Sequence, residues 1–240
     1  MTPAEIIEET FPDGLIGHWT FDESAGTTAA DSSSHANTAT QAGTVGSWVS
    51  GKYDNAYRLG GLSSRFELAY SGHLQVTGAV TVAAWVKPLT ASSYGLIAGI
   101  DTTGGTANDM YSLKTDGGDK PRWAVVSGGG GDSVEFDATD TLANFSAARA
   151  DGWVHLAGVF DPGVGAYLYV NGVLNASDVT SVPTSIQLKA TDFQMGHNAA
   201  DSGSYPLNAA VDDVRIYNRA LSAKEVYDVA FVSGTVIMIL

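Results

Sequence analysis

The 240-residue sequence contains no cysteine. Disulfides and thiolate metal sites are thereby excluded, and nothing marks a redox compartment. Charge is scarce as well, with Asp, Glu, Lys and Arg making up 16%, below the ~25% usual for soluble domains. Cations are the rarer sign, 12 against 26 carboxylates, for a net charge of −14. A surface so acidic works against nucleic-acid backbones and anionic membranes as partners; it suits divalent cations or a basic partner. No apolar run nears the ~20 residues of a membrane span. The opening MTPAEIIEETF has neither the positive charge nor the apolar run of a secretory signal. The expectation is synthesis in the cytoplasm without a signal peptide, with a mature piece of an exported protein as the alternative.

What the chain has in quantity is glycine, 28 residues, the mark of many turns joining many strands. Its most legible stretch is Trp153 to Leu174. Two apolar runs, Trp153 to Phe160 and Ala166 to Val170, flank a turn carrying Asp161, Pro162 and Gly163, which is a hairpin signal. Asn171-Gly172 then accepts the positive φ of a type I′ turn and leads into Val173 and Leu174. Three antiparallel strands in a row need a second sheet over their apolar face, so the segment predicts a β-sandwich.

Further strand-like runs fall at Leu15 to Phe21, Ala56 to Leu59, Phe66 to Leu68, Val80 to Val86, Leu96 to Ile100, Tyr111 to Leu113, Arg122 to Val126, Val134 to Phe136, Ile186 to Leu188, Phe193 to Gly196 and Ala210 to Asn218. Between them Asp22 to Gly43 reads as a long polar loop, of a length that usually means function or an organising ion. Val80 to Val86 is apolar on both of its alternating faces, so both should be covered. Thr2-Pro3-Ala4-Glu5 is a capping box predicting a short helix over Pro3 to Glu9, and Ser222-Ala-Lys-Glu225 predicts another through about Val229. The end, Val236 to Leu240, is uncharged and apolar. Left exposed it would aggregate, so Val236, Ile237 and Ile239 are expected to pair with a sheet edge of this chain or of a neighbouring subunit.

Several stretches together resemble the laminin-G-like, concanavalin A-like lectin/glucanase jelly-roll family. They are GLIGHWTFDESAGTTAADSS (Gly14 to Ser33), GKYDNAYRLGG (Gly51 to Gly61), VTVAAWVKP (Val80 to Pro88), DGWVHLAGVFD (Asp151 to Asp161), LYVNGVL (Leu168 to Leu174) and VDDVRIYNRALSAKEV (Val211 to Val226). The resemblance implies an all-β fold, a two-sheet antiparallel jelly-roll sandwich with short terminal helices. It divides the chain into an N-terminal extension (1–13), a laminin-G-like domain (14–229) and an apolar tail (230–240). It also implies a structural calcium held by Asp22, Asp31, Asn37 and Asp212, hard oxygen donors from separate segments. The usual loop glycines are replaced by Ser34 and Ala36, and the plainer alternative is a set of turn-capping groups.

Other residues invite chemistry. Glu135-Phe136-Asp137-Ala138-Thr139-Asp140 resembles the Glu-x-Asp-x-x-Glu strand of jelly-roll glucanases, in which a carboxylate pair hydrolyses a glycosidic bond; the competing reading is a solvated strand end. His18, His35, His73, His155 and His197 show no metal-ligand spacing and no accompanying nucleophile motif, and His155 reads as structural. Trp19, Trp85, Trp153, Phe21 and Tyr169 read as core. Trp48, Tyr53, Tyr94, Trp123 and Tyr205 lie in or beside loops, where rings can stack on a sugar or anchor an interface. The expected function is a non-catalytic recognition or display module, foremost a surface-assembly part such as a virion capsid decoration or fibre protein with glycan or host-surface binding. A protein partner or second copy would engage through the terminal extensions. A free carbohydrate-binding module is the alternative, and a glycoside hydrolase using Glu135, Asp137 and Asp140 the remote one.

Overall fold

A computed structural model describes residues 12–101, 110–127, 133–197 and 205–231. The expected helix at Pro3 to Glu9, the glycine run 128–131 and the tail residues Val236, Ile237 and Ile239 lie outside the described residues. In chain order the first strands are β1 (Leu15–Trp19), β2 (Thr28–Ala29), β3 (Ala39–Ala42), β4 (Ser47–Ser50), β5 (Asn55–Arg58), β6 (Arg65–Leu68), β7 (Val80–Pro88) and β8 (Leu96–Ile100). Then follow β9 (Tyr111–Thr115), β10 (Pro121–Val126), β11 (Ser133–Asp137), helix α1 (Leu142–Ala147), β12 (Val154–Asp161), β13 (Gly165–Val170), β14 (Val173–Asp178), β15 (Phe193–Met195), β16 (Ala209–Tyr217) and helix α2 (Ala223–Phe231).

The strands form two antiparallel sheets. One runs β14-β13-β12-β7-β16-β5-β4, with β1 also paired to β16; the other runs β11-β10-β9-β8-β15-β6-β3-β2. This is the expected jelly-roll sandwich. The predicted meander is its β12-β13-β14 edge. Asn171 (φ 50) and Gly172 (φ 73) both take the left-handed backbone that the tight β13-β14 turn requires. Ile186 to Leu188 is not a strand, although Ile186 and Gln187 donate backbone bonds to Thr77 and Val126. The loop after Trp19 is interrupted by β2 and β3, which pair with each other. Helix α1 has no counterpart in the sequence reading, and α2 continues through residues 230 and 231, which had been assigned to the tail.

The core lies between the sheets. Val80, Val82, Ala84 and Val86 of β7 face it together with Trp19, Phe66, Trp123, Leu156 and Phe193. The other face of β7 is covered too. Ala83 joins a second cluster with Val159, Tyr217, Val226 and Val229, the last two from α2, and Trp85 packs with Trp153 and Ala210. Burying Val226 and Val229 contributes about 1.5–3 kcal/mol each, enough to fix a nine-residue helix that would be marginal alone. Its start is the predicted capping box, with the Glu225 carboxylate accepting from the Ser222 amide at 2.8 Å and the Glu225 amide donating to the Ser222 hydroxyl at 3.3 Å.

Strand β16 is shared unusually. One edge pairs along β7, and the other carries β5 at Ala210 and Val211 and β1 from Val214 to Tyr217. The changeover falls at Asp212 and Asp213, where the register slips and Asp213 turns to φ 49.

Candidate functional site

The four oxygen donors implied for calcium separate into two pairs. Asp31 Oδ1 accepts from the amides of His18 and Ser33 at 2.8 Å each, while Oδ2 accepts from the Asn37 amide at 2.7 Å and the Ser33 hydroxyl at 2.8 Å. Burial alone would raise the Asp31 pKa, but these donors outweigh it and hold it below the ordinary value. Asn37 in turn donates to the Ile16 carbonyl and accepts from Ser71. Asp31 therefore organises the loop itself. Ala36, standing at one of the substituted glycine positions, is held at φ 50, a backbone costing an alanine about 1–2 kcal/mol.

Asp22 and Asp212 form the other pair, both clamping the turn that leads into β5. Asp22 Oδ1 accepts from the Asn55 amide at 3.2 Å; Asp212 Oδ2 accepts from the amides of Lys52 (2.7 Å) and Tyr53 (3.1 Å). The second Asp212 oxygen is buried with no hydrogen-bond partner. Burial pushes the Asp212 carboxyl up to about 8, with neighbouring Asp213 and Asp22 adding to the rise against the pull of the two amides. An orphaned carboxylate oxygen beside a second carboxylate fits a hard cation. Asp31 and Asn37 do not belong to that fit, and among the described residues no group of three His, Asp or Glu side chains converges on one point.

One residue on, Asp213 is opposite in character. Its Oδ1 meets His18 Nε2 at 2.6 Å and the Arg215 guanidinium at 2.9–3.0 Å, all three side chains being buried. Burial would raise the Asp213 pKa, but Arg215 and His18 overcome it and hold it below the ordinary value. His155 is buried with its ring 5.3 Å from Trp85, and burial pushes its pKa down to about 3. It sits in scaffold.

The acidic strand is tied down by an arginine. Glu135 and Asp137 both bind Arg122, whose Nε and Nη2 grip Asp137 at 2.5 and 3.1 Å while Nη1 meets Glu135. Asp140 is turned onto α1, accepting from the Thr141 amide at 2.8 Å and the Asn144 side chain at 2.7 Å.

The loop aromatics sort themselves by burial. Trp123 is fully buried in β10, its ring against Gly158, so it leaves the set of surface candidates. Trp48 lies in the short edge strand β4, packed on Tyr57 at 4.9 Å. Tyr53 packs edge-on to Trp85 at 6.3 Å. Tyr94 and Tyr205 come together at the surface, 111 residues apart in sequence, with ring centroids 5.2 Å apart and planes at 76°. Tyr94 is 45% exposed and held at φ 56, a rare backbone for a bulky residue.

Two segments carry this corner. Leu89 donates to the Asn208 carbonyl at 2.9 Å and the Asn208 amide to the Ser92 hydroxyl at 2.9 Å, joining residues 89–95 to 205–208. Asp119 braces them, one oxygen accepting from the Ser92 amide at 2.8 Å and the other from Ala143 of α1 at 3.1 Å. A Cβ on Gly117 would meet the Tyr94 hydroxyl at 2.9 Å, so the turn under the ring is glycine. The same two segments also help line an open groove of about 410 Å³, whose walls include Arg58, Leu89, Thr90 and Asn208. The sequence reading missed this groove, because its lining comes from three distant segments, none with a motif of its own.

Residues 59–227 match the family model for the laminin-G-like branch of the concanavalin A-like lectin/glucanases superfamily. No curated protein matches the chain in sequence. The fold is similar to that of the binding domain of Paraclostridial Mosquitocidal Protein 1, at TM-score 0.66 and 15% identity over 90% of this chain and 51% of that one. It is similar to domain 4 of AbnA, a GH43 extracellular arabinanase from Geobacillus stearothermophilus solved with arabinotriose, at 0.64 and 22% over 90% and 98%. The botulinum neurotoxin serotype D ligand-binding domain, solved with N-acetylneuraminic acid, gives 0.65 and 16% over 92% and 51%. The chain thus spans about half the length of these toxin domains, and at such identities the likeness is one of fold. The family match covers well over half of the sequence and agrees with the two-sheet topology, and the chain belongs to the concanavalin A-like lectin/glucanase superfamily.

Proposed function

We propose that the chain is a non-catalytic carbohydrate-binding module whose ligand surface is the Tyr94–Tyr205 corner. The observation that carries this reading is Tyr94 itself. A half-exposed ring kept on a left-handed backbone spends conformational energy to face solvent, and such strain concentrates at ligand sites. With Tyr205 edge-on beside it, the pair offers a floor and a wall for a sugar ring. The similar structures support a binding role, one having been solved with arabinotriose and another with N-acetylneuraminic acid. Arg122's hold on Glu135 and Asp137 supports the absence of hydrolysis. The virion reading rested on the terminal segments outside the described residues, and no described feature favours it.

A glycan array followed by calorimetry tests the proposal. Tyr94→Ala and Tyr205→Ala should each weaken the best hit by about tenfold, the loss of just over 1 kcal/mol typical of an anchoring aromatic. Unchanged affinity in both variants would remove the corner from the site. Glucan digestion by the wild type that is abolished by Glu135→Gln would overturn the non-catalytic reading.

Asp22 and Asp212 are proposed to hold a calcium ion, which would neutralise the buried Asp212 carboxylate together with the exposed Asp22 and fix the turn entering β5. Calcium at a hundredfold excess over its Kd should stabilise the protein by about 2.7 kcal/mol. Asp212→Asn should lose that response while melting no lower than the calcium-free wild type. An equal calcium response in the variant would place the ion elsewhere.

A further inference from the structure

We infer that the groove beside the tyrosine corner takes the carboxylate of an acidic sugar, anchored by Arg58. The inference rests on the carbohydrate-binding reading and narrows it to a ligand class. Arginines in this acidic chain are almost all neutralised: Arg65, Arg122, Arg149, Arg215 and Arg219 each lie within ion-pair distance of a carboxylate. Arg58 does not. It is exposed at the end of β5, in register with Ser47 of β4 and Ala210 of β16, so two neighbouring strands fix its backbone. With 26 carboxylates in the chain, an arginine left unpaired is a cation open to a ligand.

The rest of the groove suits a sugar. The side chains of Ser47, Thr90 and Asn208 make no hydrogen bond among the described residues, leaving hydroxyl and amide groups for a polyol. Val45 and Leu89, 66% and 46% exposed, offer apolar contact to the C–H face of a ring. The floor is bare main chain: a Cβ on Gly46 would lie 2.1 Å from the Arg58 carbonyl oxygen and one on Gly60 2.4 Å from that of Val45. A volume of about 410 Å³ is within the range of small-molecule sites. A carboxylate matches the guanidinium fork with two parallel hydrogen bonds. A single guanidinium in the groove of a chain of net charge −14 also selects a singly charged ligand over a polyanion, which the carboxylates would repel. Asn208 is three residues from Tyr205 and Thr90 four from Tyr94, so a short oligosaccharide can span corner and groove, three extended residues reaching only ~10 Å.

Calorimetry with four probes tests this: 3′-sialyllactose, a disaccharide ending in glucuronic acid, and the neutral counterpart of each. At least one acidic probe should bind about tenfold or more tighter than its counterpart, as expected of a charge-assisted hydrogen-bonded pair, and which one does identifies the acid. Arg58→Ala should erase the preference without moving the melting temperature, Arg58→Lys should keep part of it, and rising salt should shrink it. Neutral sugars bound as tightly as acidic ones, with Arg58→Ala silent, would overturn the inference while leaving the tyrosine corner standing. Binding of no sugar at all would overturn both.

Discussion

Asp212 and Asp213 are chemically identical neighbours with opposite fates. Asp213 faces Arg215 and His18 inside the sheet, whereas Asp212 keeps one oxygen orphaned. Removing the Asp213 carboxylate leaves the buried Arg215 charge uncompensated, so Asp213→Ala should cost about 3–5 kcal/mol in denaturant unfolding. The distinction was illegible in VDDVRIYN, because it arises from the register slip, and an unbroken alternating strand would have put the two on opposite faces for another reason. Trp123 is the converse case. Its signal was present, since Trp123 and Val125 alternate with Arg122 and Ala124 in a predicted strand, yet its place beside a loop put it among the surface rings. Gly158 is the other half of that contact: a Cβ there would lie 2.2 Å from the indole, and Gly158→Ala should destabilise by about 1–3 kcal/mol through overpacking. His155 supplies a pH dependence. Its folded pKa of about 3 lies below the ordinary 6.5, so the unfolded chain takes up a proton that the folded chain refuses. Its contribution is complete above about pH 6.5 and drains away as pH falls toward 3. The raised Asp212 carboxyl pulls the opposite way over the same window, so the contribution is read by comparison: His155→Phe, keeping a ring against Trp85, should lose less stability than the wild type when the denaturant midpoint is moved from pH 7 to pH 5.

At the scale of elements, the long strands were legible because alternation and turn chemistry agreed over five or more residues. Of the short ones, β5, β6 and β15 were legible, whereas β2, β3 and β4 were not. Strand β4 has four residues and no alternation, and β2 has two, too few to show a period. Helix α1 is six residues long, and its one local sign is Thr141, whose hydroxyl accepts from the Asn144 amide at 3.2 Å. What stabilises it comes from elsewhere, as Asp119 accepts from Ala143 and its carbonyl from Leu142. Asp119→Ala should therefore loosen α1 and the Ser92–Tyr94 turn together, lowering both melting temperature and sugar affinity; an affinity equal to wild type would show that the corner is braced by other contacts. Helix α2 was legible from its capping box. Ser222→Ala should cost about 0.5–2 kcal/mol, and because α2 seals the outer face of β7, hydrogen exchange should quicken in that helix first.

The whole molecule depends on pairings between distant parts of the chain, and this is where sequence reasoning was weakest. The family resemblance supplied the two-sheet arrangement, whereas the groove at Arg58 required three segments to be brought together. Among the described strands the β1–β16 ladder is the most distant pairing, with His18 meeting Arg215 across 197 positions. Contacts of such separation form slowly, on the millisecond-to-second scale typical of β-sandwiches. Trp19, fully buried once β1 docks, should report the step in stopped-flow refolding, and Trp19→Phe should remove that signal. Until β1 arrives, the Val214–Tyr217 half of the β16 edge presents open backbone donors and acceptors to any strand that passes. The same sharing of one edge that completes the sheet thus opens a concentration-dependent window in which unfinished chains can join one another, and refolding yield should fall as protein concentration rises.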